Sequence, residues 1–269
     1  MGKVLSFLLI VLFFASCSEY QKALKSEDVA VKAKVANEMY ENGKYSKALR
    51  LYEQLAPAYK GKPQAERIFY FYSKSYYLTK QYYLAAYQFE NFAASYPKSE
   101  KREEASFLAA ECYYRLSPRF SLDQVDTDKA LTKLQKFIDL YPNSEYLPKA
   151  NEYVKELTDK LEEKAFKIAK QYHDIADYRF EYATAIKALD NFILDYPGTK
   201  YKEEAMYYKF DSAYKLAMNS IPSKKEERLN AAKTYYNSLM KFKADSAFKD
   251  KADDKLAMID KELQQYSKQ

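Results

Sequence analysis

One eight-residue pattern occurs three times in this chain and constrains its fold more than any other feature. The pattern reads Phe-x-x-x-Tyr-Pro-x-Ser/Thr, and its copies are Phe92–Ser99, Phe137–Ser144 and Phe192–Thr199. An alanine follows every copy at the same distance, at Ala105, Ala150 and Ala205. Recurrence at such intervals is typical of helical repeat proteins, which present extended surfaces to other proteins.

Each part of the pattern has a physical role at the boundary between two helices. The phenylalanine belongs on the inner face of a helix, the tyrosine closes its last turn, and the proline cannot continue it because it lacks an N–H group. The hydroxyl groups that follow are predicted to cap the next helix, and they belong to Ser99, Ser144 and Thr199. The alanine lets that next helix approach its neighbour closely.

Two degenerate copies extend the array, around Gly43–Leu55 at the start and from Ala232 to Ala252 at the end. The chain is therefore predicted to be all-α, an α-solenoid of about five tetratricopeptide-like helix pairs. Uneven spacing between the copies predicts three insertions. These are a polar loop over residues 117–124, one long helix from Tyr146 to about Tyr172, and an inserted segment from Asn219 to about Lys225.

Composition agrees with helices and gives no support to chemistry. The 269 residues include four glycines, no tryptophan and a single histidine, His173, which is predicted to be structural or exposed. No multi-histidine metal site and no glycine-rich phosphate loop can be built from this set. Cys112 is predicted to be a small core residue. We therefore expect no enzyme, no cofactor and no metal, and the net charge of +6 is spread without the motif of a nucleic-acid-binding protein.

The amino terminus predicts a lipid anchor. Lys3 is followed by an apolar run, and Phe14-Ala15-Ser16-Cys17 resembles a lipoprotein cleavage site. The run is too short to cross a membrane, because about 13 helical residues cover about 20 Å of a hydrocarbon core of about 30 Å. Residues 1–16 are thus predicted to be a signal peptide and 17–26 a tether acylated at Cys17. The alternative is an ordinary cleaved signal in which Cys17 is incidental.

The first helix of each pair lines the concave side of a tetratricopeptide array, and this places a set of candidate peptide-binding residues. The set mixes aromatic rings with polar and charged groups, which suits an extended peptide. Its members are Asn37, Tyr40, Tyr70, Lys74, Tyr77, Phe107, Glu111 and Tyr114. The alternative for about half of the tyrosines is that they simply pack between repeats.

The lipoprotein site, the five helix pairs, the recurring Tyr-Pro motif and the segment Gln81–Phe92 together resemble the BamD family of outer-membrane lipoproteins. The inserted Ser117–Ala130 is similar to a segment that the family carries in its third repeat. The resemblance covers the chain from Cys17 to about Tyr266. It implies a non-enzymatic scaffold of the β-barrel assembly machinery.

The resemblance also implies a division of labour between two partners. Residues 27–145 would face unfolded outer-membrane proteins, and residues 146–269 would hold the POTRA domains of the barrel subunit BamA. The absence of an aspartate after Cys17 favours the outer membrane, and the lack of an acidic cluster there favours its periplasmic face. Two other classes stay open: a scaffold of the Tol-Pal or peptidoglycan-associated type, and a helical carbohydrate-uptake lipoprotein, against which the absence of tryptophan counts.

Overall fold

A computed structural model describes residues 19–266, and every regular element in that range is an α-helix. Residues 19–25 are helical, and eleven longer helices follow. Those of the first part are α1 (Val29–Glu41), α2 (Tyr45–Tyr59), α3 (Ala65–Leu78), α4 (Tyr82–Ser95), α5 (Arg102–Leu116) and α6 (Val125–Leu140). The others are α7 (Leu147–Arg179), α8 (Tyr182–Asp195), α9 (Lys202–Met218), α10 (Pro222–Phe242) and α11 (Lys249–Tyr266).

Consecutive helices form five pairs, from α1/α2 to α9/α10, and α11 follows the last pair. The predicted all-α class and the number of helix pairs are confirmed. The predicted signal peptide and Cys17 lie outside the described residues.

The turns inside three pairs use the same backbone conformation. Gly43, Lys80 and Phe180 have positive φ values of 70°, 61° and 56°, and each lies two residues before the tyrosine that begins the second helix. Glycine adopts this left-handed region without a steric penalty, whereas lysine and phenylalanine adopt it at some cost. The tight turn is therefore a property of the repeat rather than of glycine.

The recurring tyrosine and proline end helices as predicted. Tyr96, Tyr141 and Tyr196 are the C-cap residues of α4, α6 and α8, and the N–H of each donates to the carbonyl of the phenylalanine four residues earlier. The predicted capping role of the hydroxyl groups is wrong in position. The Ser99 hydroxyl accepts a hydrogen bond from the Lys101 N–H, and the helix begins only at Arg102, so the hydroxyl stabilises the turn ahead of the helix.

A carboxylate on the preceding pair accepts a hydrogen bond from the same hydroxyl at three joints, two between pairs and one between the last pair and α11. Ser99 donates to Glu66 over 2.6 Å, Ser246 donates to Glu203 over 2.8 Å, and Thr199 donates to Glu162. The motif hydroxyl therefore joins one pair to the next.

Stacked rings lie beside these joints. Phe107 stacks on Tyr146 with 4.7 Å between centroids, and Tyr207 stacks on Phe248 at 4.4 Å. Phe166 and Tyr201 stack in the same way at 4.5 Å. In the earliest copy Lys101 takes the place of the second ring, with its ammonium 5.7 Å from the centroid of Tyr70. Offset aromatic pairs stabilise packing beyond the area that they bury.

The chain divides into two compact units, which end and begin at Leu157 and Thr158, within α7. The boundary predicted at residues 145 and 146 separates a substrate-facing half from a BamA-facing half and stays a prediction. The first turns of α7 belong to the first core, because Ala150 and Leu157 are fully buried there. Phe166 and Ala169 are buried with residues of α8 and α9 in the second unit.

The three predicted insertions take different forms. The loop over residues 117–124 lies between α5 and α6 as predicted, and the long helix is confirmed and continues to Arg179. The inserted segment from Asn219 to about Lys225 forms a short connection and then the first residues of α10, which begins at Pro222. Proline at the first helical position costs nothing, since that N–H would have no partner within the helix.

Candidate peptide-binding site

The predicted groove residues lie on the first helices of the first three pairs. Asn37 and Tyr40 belong to α1, and Asn37 accepts a hydrogen bond of 2.8 Å from the Tyr52 hydroxyl of α2, which uses its amide oxygen within the pair. Tyr40 packs on Phe71 of α3, with 4.7 Å between the ring centroids. Burial raises the pKa of Tyr40 to about 12, so this phenol stays protonated and remains a hydrogen-bond donor.

Glu104 of α5 contacts three residues, two on α3 of the preceding pair and one in the turn just before α5. It accepts hydrogen bonds from the Tyr70 hydroxyl and from the Lys74 ammonium, which is 3.1 Å away, and Lys101 lies 3.3 Å from its other oxygen. Burial acts to raise the pKa of Glu104, but these partners lower it below its usual range. The carboxylate is therefore ionised and holds Lys74 and Tyr70 in place. Glu104 was not among the sequence candidates.

Glu111 is the second carboxylate of this surface, and it is buried, with only 6% of its surface exposed. Arg115 donates to it over 2.7 Å from the next turn of α5, and the Tyr153 hydroxyl donates to it over 3.0 Å from α7. Tyr77 also lies near this carboxylate, and burial together with the charge of Glu111 raises the pKa of Tyr77 to about 12. Burial of a carboxyl group is tolerated when several hydrogen-bond donors surround it, as they do here.

A ladder of rings completes the surface. Tyr114 stacks on Tyr153 with 3.8 Å between centroids, and Tyr114 donates a hydrogen bond to Glu156. Phe107 stacks on Tyr146 at the other end of the ladder. We call the surface formed by the eight predicted residues with Glu104 and Tyr153 the tyrosine–carboxylate band.

Burial separates the residues of the band into two groups. Tyr70, Phe107 and Glu111 are buried, so they pack between repeats. The other predicted residues, among them Lys74, Tyr77 and Tyr114, are partly exposed. The buried group can fix the position of the exposed group, and only the exposed group can touch a bound peptide directly.

The second unit repeats the same construction. Tyr207 and Asp211 follow Ala205 at the distances at which Phe107 and Glu111 follow Ala105. Lys215 lies 3.2 Å from Asp211, as the i,i+4 partner that Arg115 is to Glu111, and Lys255 of α11 takes the position of Tyr153 at 3.2 Å. Spacing from the recurring alanine was the signal that could have identified Glu111 and Asp211 as equivalent residues.

The single histidine lies beside this second carboxylate. His173 Nδ1 is 2.9 Å from the Ser212 hydroxyl, and its Nε2 is 3.6 Å from Asp211. Ser212 is fully buried, and Asp211 is also held by two lysines. The serine hydroxyl is not accessible to a substrate, so we interpret the cluster as structural. This agrees with the prediction that His173 is structural or exposed.

Within residues 19–266, no group of three or more His, Cys, Asp or Glu side chains could hold a metal ion, and no helix is long and apolar enough to cross a membrane. Cys112 is fully buried, as predicted, and burial raises the pKa of its thiol. A thiol held in its neutral form is unreactive.

A family model described as outer membrane lipoprotein, YfiO, matches residues 30–180, which is more than half of the chain. The chain belongs to this family. The matched range begins in α1 and ends just after α7. It therefore contains the whole tyrosine–carboxylate band.

Two relatives carry names that describe a process. The outer membrane protein assembly factor BamD of Caulobacter vibrioides is 30% identical over 98 residues, which cover 36% of this chain and 32% of that protein. An Aquifex aeolicus protein, provisionally named as the same factor, is 26% identical over 219 residues, which cover 76% of this chain and 68% of that protein. The chain thus matches about a third of one relative and about two thirds of the other.

Solved structures resemble the chain only weakly. A Podosopora anserina protein described as a kinesin light chain with nearly identical TPR-like repeats is 14% identical, with a TM-score of 0.33, and the match covers 82% of this chain and 98% of that one. A designed cyclic homo-oligomer is 15% identical, with a TM-score of 0.23, over 98% and 96% of the two chains. Scores this low add nothing to the family assignment.

Proposed function

We propose that this protein is a lipid-anchored scaffold subunit of the machinery that assembles β-barrel proteins in the outer membrane. The observation that carries the proposal is the family match over residues 30–180. The names of the two relatives point to the same process. No step of this function requires bond chemistry, so binding and positioning are the whole mechanism, and no cofactor takes part.

The anchor in this proposal is Cys17, acylated after removal of residues 1–16. Acyl chains stabilise membrane attachment by about 0.8 kcal/mol for each buried CH₂ group, and more than one chain gives stable anchoring. Attachment to the periplasmic face of the outer membrane would keep the helix pairs beside the site at which barrels insert.

Two partners divide the chain in this proposal. Unfolded outer-membrane proteins bind residues 27–145 through the eight predicted groove residues of the tyrosine–carboxylate band, and the POTRA domains of a BamA-like subunit bind within residues 146–269. The band suits an extended segment because the rings of Tyr77 and Tyr114 offer apolar faces, while Lys74 offers a cation. The ion pairs and stacked rings beneath hold these groups in place before binding, which lowers the entropic cost of binding.

Photocrosslinking in intact envelopes tests both partners. A photoreactive amino acid at Tyr114 is expected to capture unfolded outer-membrane proteins, whereas the same group at Tyr178, which is 86% exposed in the second unit, is expected to capture few of them. Affinity purification of the whole protein is expected to recover a BamA-like subunit. Recovery of Tol-Pal or peptidoglycan-associated proteins without that subunit would contradict the proposal.

Depletion of the protein tests the process as a whole. The abundance of folded outer-membrane barrels is expected to fall broadly, while soluble periplasmic proteins persist. Normal barrel levels after depletion would overturn the proposal. A defect restricted to sugar uptake would favour the carbohydrate-binding alternative.

A further inference from the structure

A cleft in the first unit lies away from the tyrosine–carboxylate band. Helices α4, α5 and α6 form it, and its volume is about 470 Å³, which is within the range of sites that hold small ligands or a few side chains. Its apolar lining consists of small residues and two larger ones: Ala93, Ala94, Ala109, Ala110, Phe137 and Leu140. The alanines leave open the space that larger side chains would fill.

The charged groups around the cleft are mostly basic. Arg102, Lys133 and Lys136 line it together with one acid, Glu90. Lys133 and Glu90 form an ion pair of 2.6 Å. Neither Arg102 nor Lys136 has a carboxylate within ion-pair distance among residues 19–266. The cleft therefore carries two uncompensated positive charges.

The guanidinium of Arg102 is incompletely bonded. Its Nε is buried and has no hydrogen-bond partner within the described part of the chain, and its Nη1 donates to the Pro97 carbonyl over 3.5 Å. A buried donor without an acceptor is costly, so such groups are rare in folded proteins. A carboxylate is the acceptor that an arginine binds best, because two parallel hydrogen bonds can form.

The hydroxyl groups of the cleft satisfy each other and leave the guanidinium as the open group. The Ser106 hydroxyl donates to the Arg102 carbonyl over 2.8 Å. The Tyr141 hydroxyl lies 3.3 Å from the Ser106 oxygen, and it must be the donor there because the Ser106 proton is already used. The groups of the cleft that still lack a charged or hydrogen-bonded partner are therefore positively charged.

One face of α5 lines the cleft, and the opposite face belongs to the tyrosine–carboxylate band. Successive residues of an α-helix are about 100° apart, so Arg102, Ser106 and Ala109 lie on a face roughly opposite to that of Glu104 and Glu111. A ligand in the cleft would not occupy the tyrosine–carboxylate band.

We propose that the cleft binds an acidic peptide segment of a partner protein, in which an apolar side chain lies next to a carboxylate. The apolar side chain enters the space over the alanines, and the carboxylate pairs with Arg102 and Lys136. The site is additional to the band and to the surface proposed for the BamA-like subunit. It therefore stands or falls independently of the proposed function.

Fluorescence anisotropy with the mature, full-length protein in detergent tests the proposal. The probe is a fluorescein-labelled hexapeptide of alternating leucine and aspartate with blocked ends, and its control has asparagine in place of aspartate. The acidic peptide is expected to bind and the neutral one to bind at least about tenfold more weakly, because charge-assisted hydrogen bonds are lost. Equal binding of the two peptides would overturn the proposal.

Variants locate the binding site. Arg102→Gln is expected to raise the Kd of the acidic peptide about tenfold, and Lys136→Gln to raise it less. Lys60→Gln removes the same charge from an exposed position outside the cleft and is expected to change the Kd less than twofold.

Ala94→Phe fills the cleft from its exposed edge and is expected to abolish binding while the circular dichroism spectrum stays unchanged. Undiminished binding by this variant would contradict the proposal. Loss of binding in Tyr114→Ala, with Arg102→Gln unaffected, would place the peptide on the band and would also overturn it.

Discussion

At three joints the motif hydroxyl donates a hydrogen bond to a carboxylate on the preceding helix pair. Glu203 is the most fully bonded example: it accepts from Lys243 and Ala247 over 2.7 Å and from Ser246 over 2.8 Å. The hydrogen bond from Lys243, joined by those from the Ala247 N–H and the Ser246 hydroxyl, lowers the pKa of Glu203. The sequence predicted only that the motif hydroxyl accepts from the next helix. Its donation to a carboxylate could not be predicted, because that carboxylate lies more than forty residues away along the chain.

Glu203→Gln is expected to lower the free energy of unfolding of the second unit by about 1 kcal/mol. The amide oxygen can still accept from Ser246, but the charge-assisted bond to Lys243 is lost. Glu227→Gln, at an exposed position on α10, is the control and is expected to stay within about 0.5 kcal/mol of the parent. Urea unfolding measures both. Equal stability of the two variants would show that the carboxylate does not hold the joint.

The buried imidazole makes the second unit sensitive to acid. Burial of His173 lowers its pKa, against the opposing effect of Asp211 and with the aid of the positive charges of Lys215 and Lys170. The unfolded chain, with a histidine pKa of about 6.5, therefore binds the proton more readily than the folded chain does. The free energy of unfolding is therefore unaffected by His173 above about pH 6.5 and decreases as the pH falls below that value.

His173→Gln is expected to reduce the slope of stability against pH between about 7.5 and 5.5. The glutamine cannot titrate, and no other histidine in the sequence can replace the lost effect. Hydrogen exchange of peptides from residues 158–266, followed across this pH range, measures the slope. An unchanged slope in the variant would assign the acid sensitivity to the carboxylates instead.

At the scale of elements, the long helix α7 was predicted as one element, but it contributes to two separate cores. Its periodic apolar residues predicted a single long helix, and the structure confirms it. Periodicity could not reveal that Leu157 and Phe166 enter separate cores, because both fit the same helical pattern. The helix ends were predictable where proline and tyrosine set them. The start of α10 was not, because Pro222 can either break a helix or begin one.

Phe166→Ala is expected to destabilise the second unit by about 3–5 kcal/mol, because the ring is fully buried and stacks on Tyr201. Ile168→Ala, two residues further along the same helix, removes a side chain that is 47% exposed and is expected to cost less than about 0.5 kcal/mol. Hydrogen exchange is expected to show faster opening in residues 158–266 and little change in residues 29–146. A uniform effect along the chain would contradict the separation of the two cores.

At the scale of the whole molecule, the fold class and the family could be predicted from the sequence, because both depend on features repeated along the chain. Only some residues of the tyrosine–carboxylate band could be predicted in this way. Tyr40, Tyr77 and Tyr114 could be placed by counting back from the repeated alanines, whereas Glu104 and Tyr153 gained their roles from contacts between pairs that no local spacing reveals. The cleft beside Arg102 could not be predicted from the sequence either, because it forms only where three helices meet around small residues.

The proposed lipid anchor at Cys17 can be tested by substitution. Cys17→Ala is expected to abolish acylation and to move the protein from the membrane fraction to the soluble periplasmic fraction, because the buried acyl chains supply the attachment. Ser16→Ala keeps a small residue before the cysteine and is the matched control, for which membrane retention is expected to stay unchanged. Fractionation with antibody detection, together with mass spectrometry of the amino-terminal peptide, measures both properties. If the Cys17→Ala protein stayed in the membrane fraction after a high-salt wash, attachment would have to come from protein partners, and Cys17 would be incidental to it.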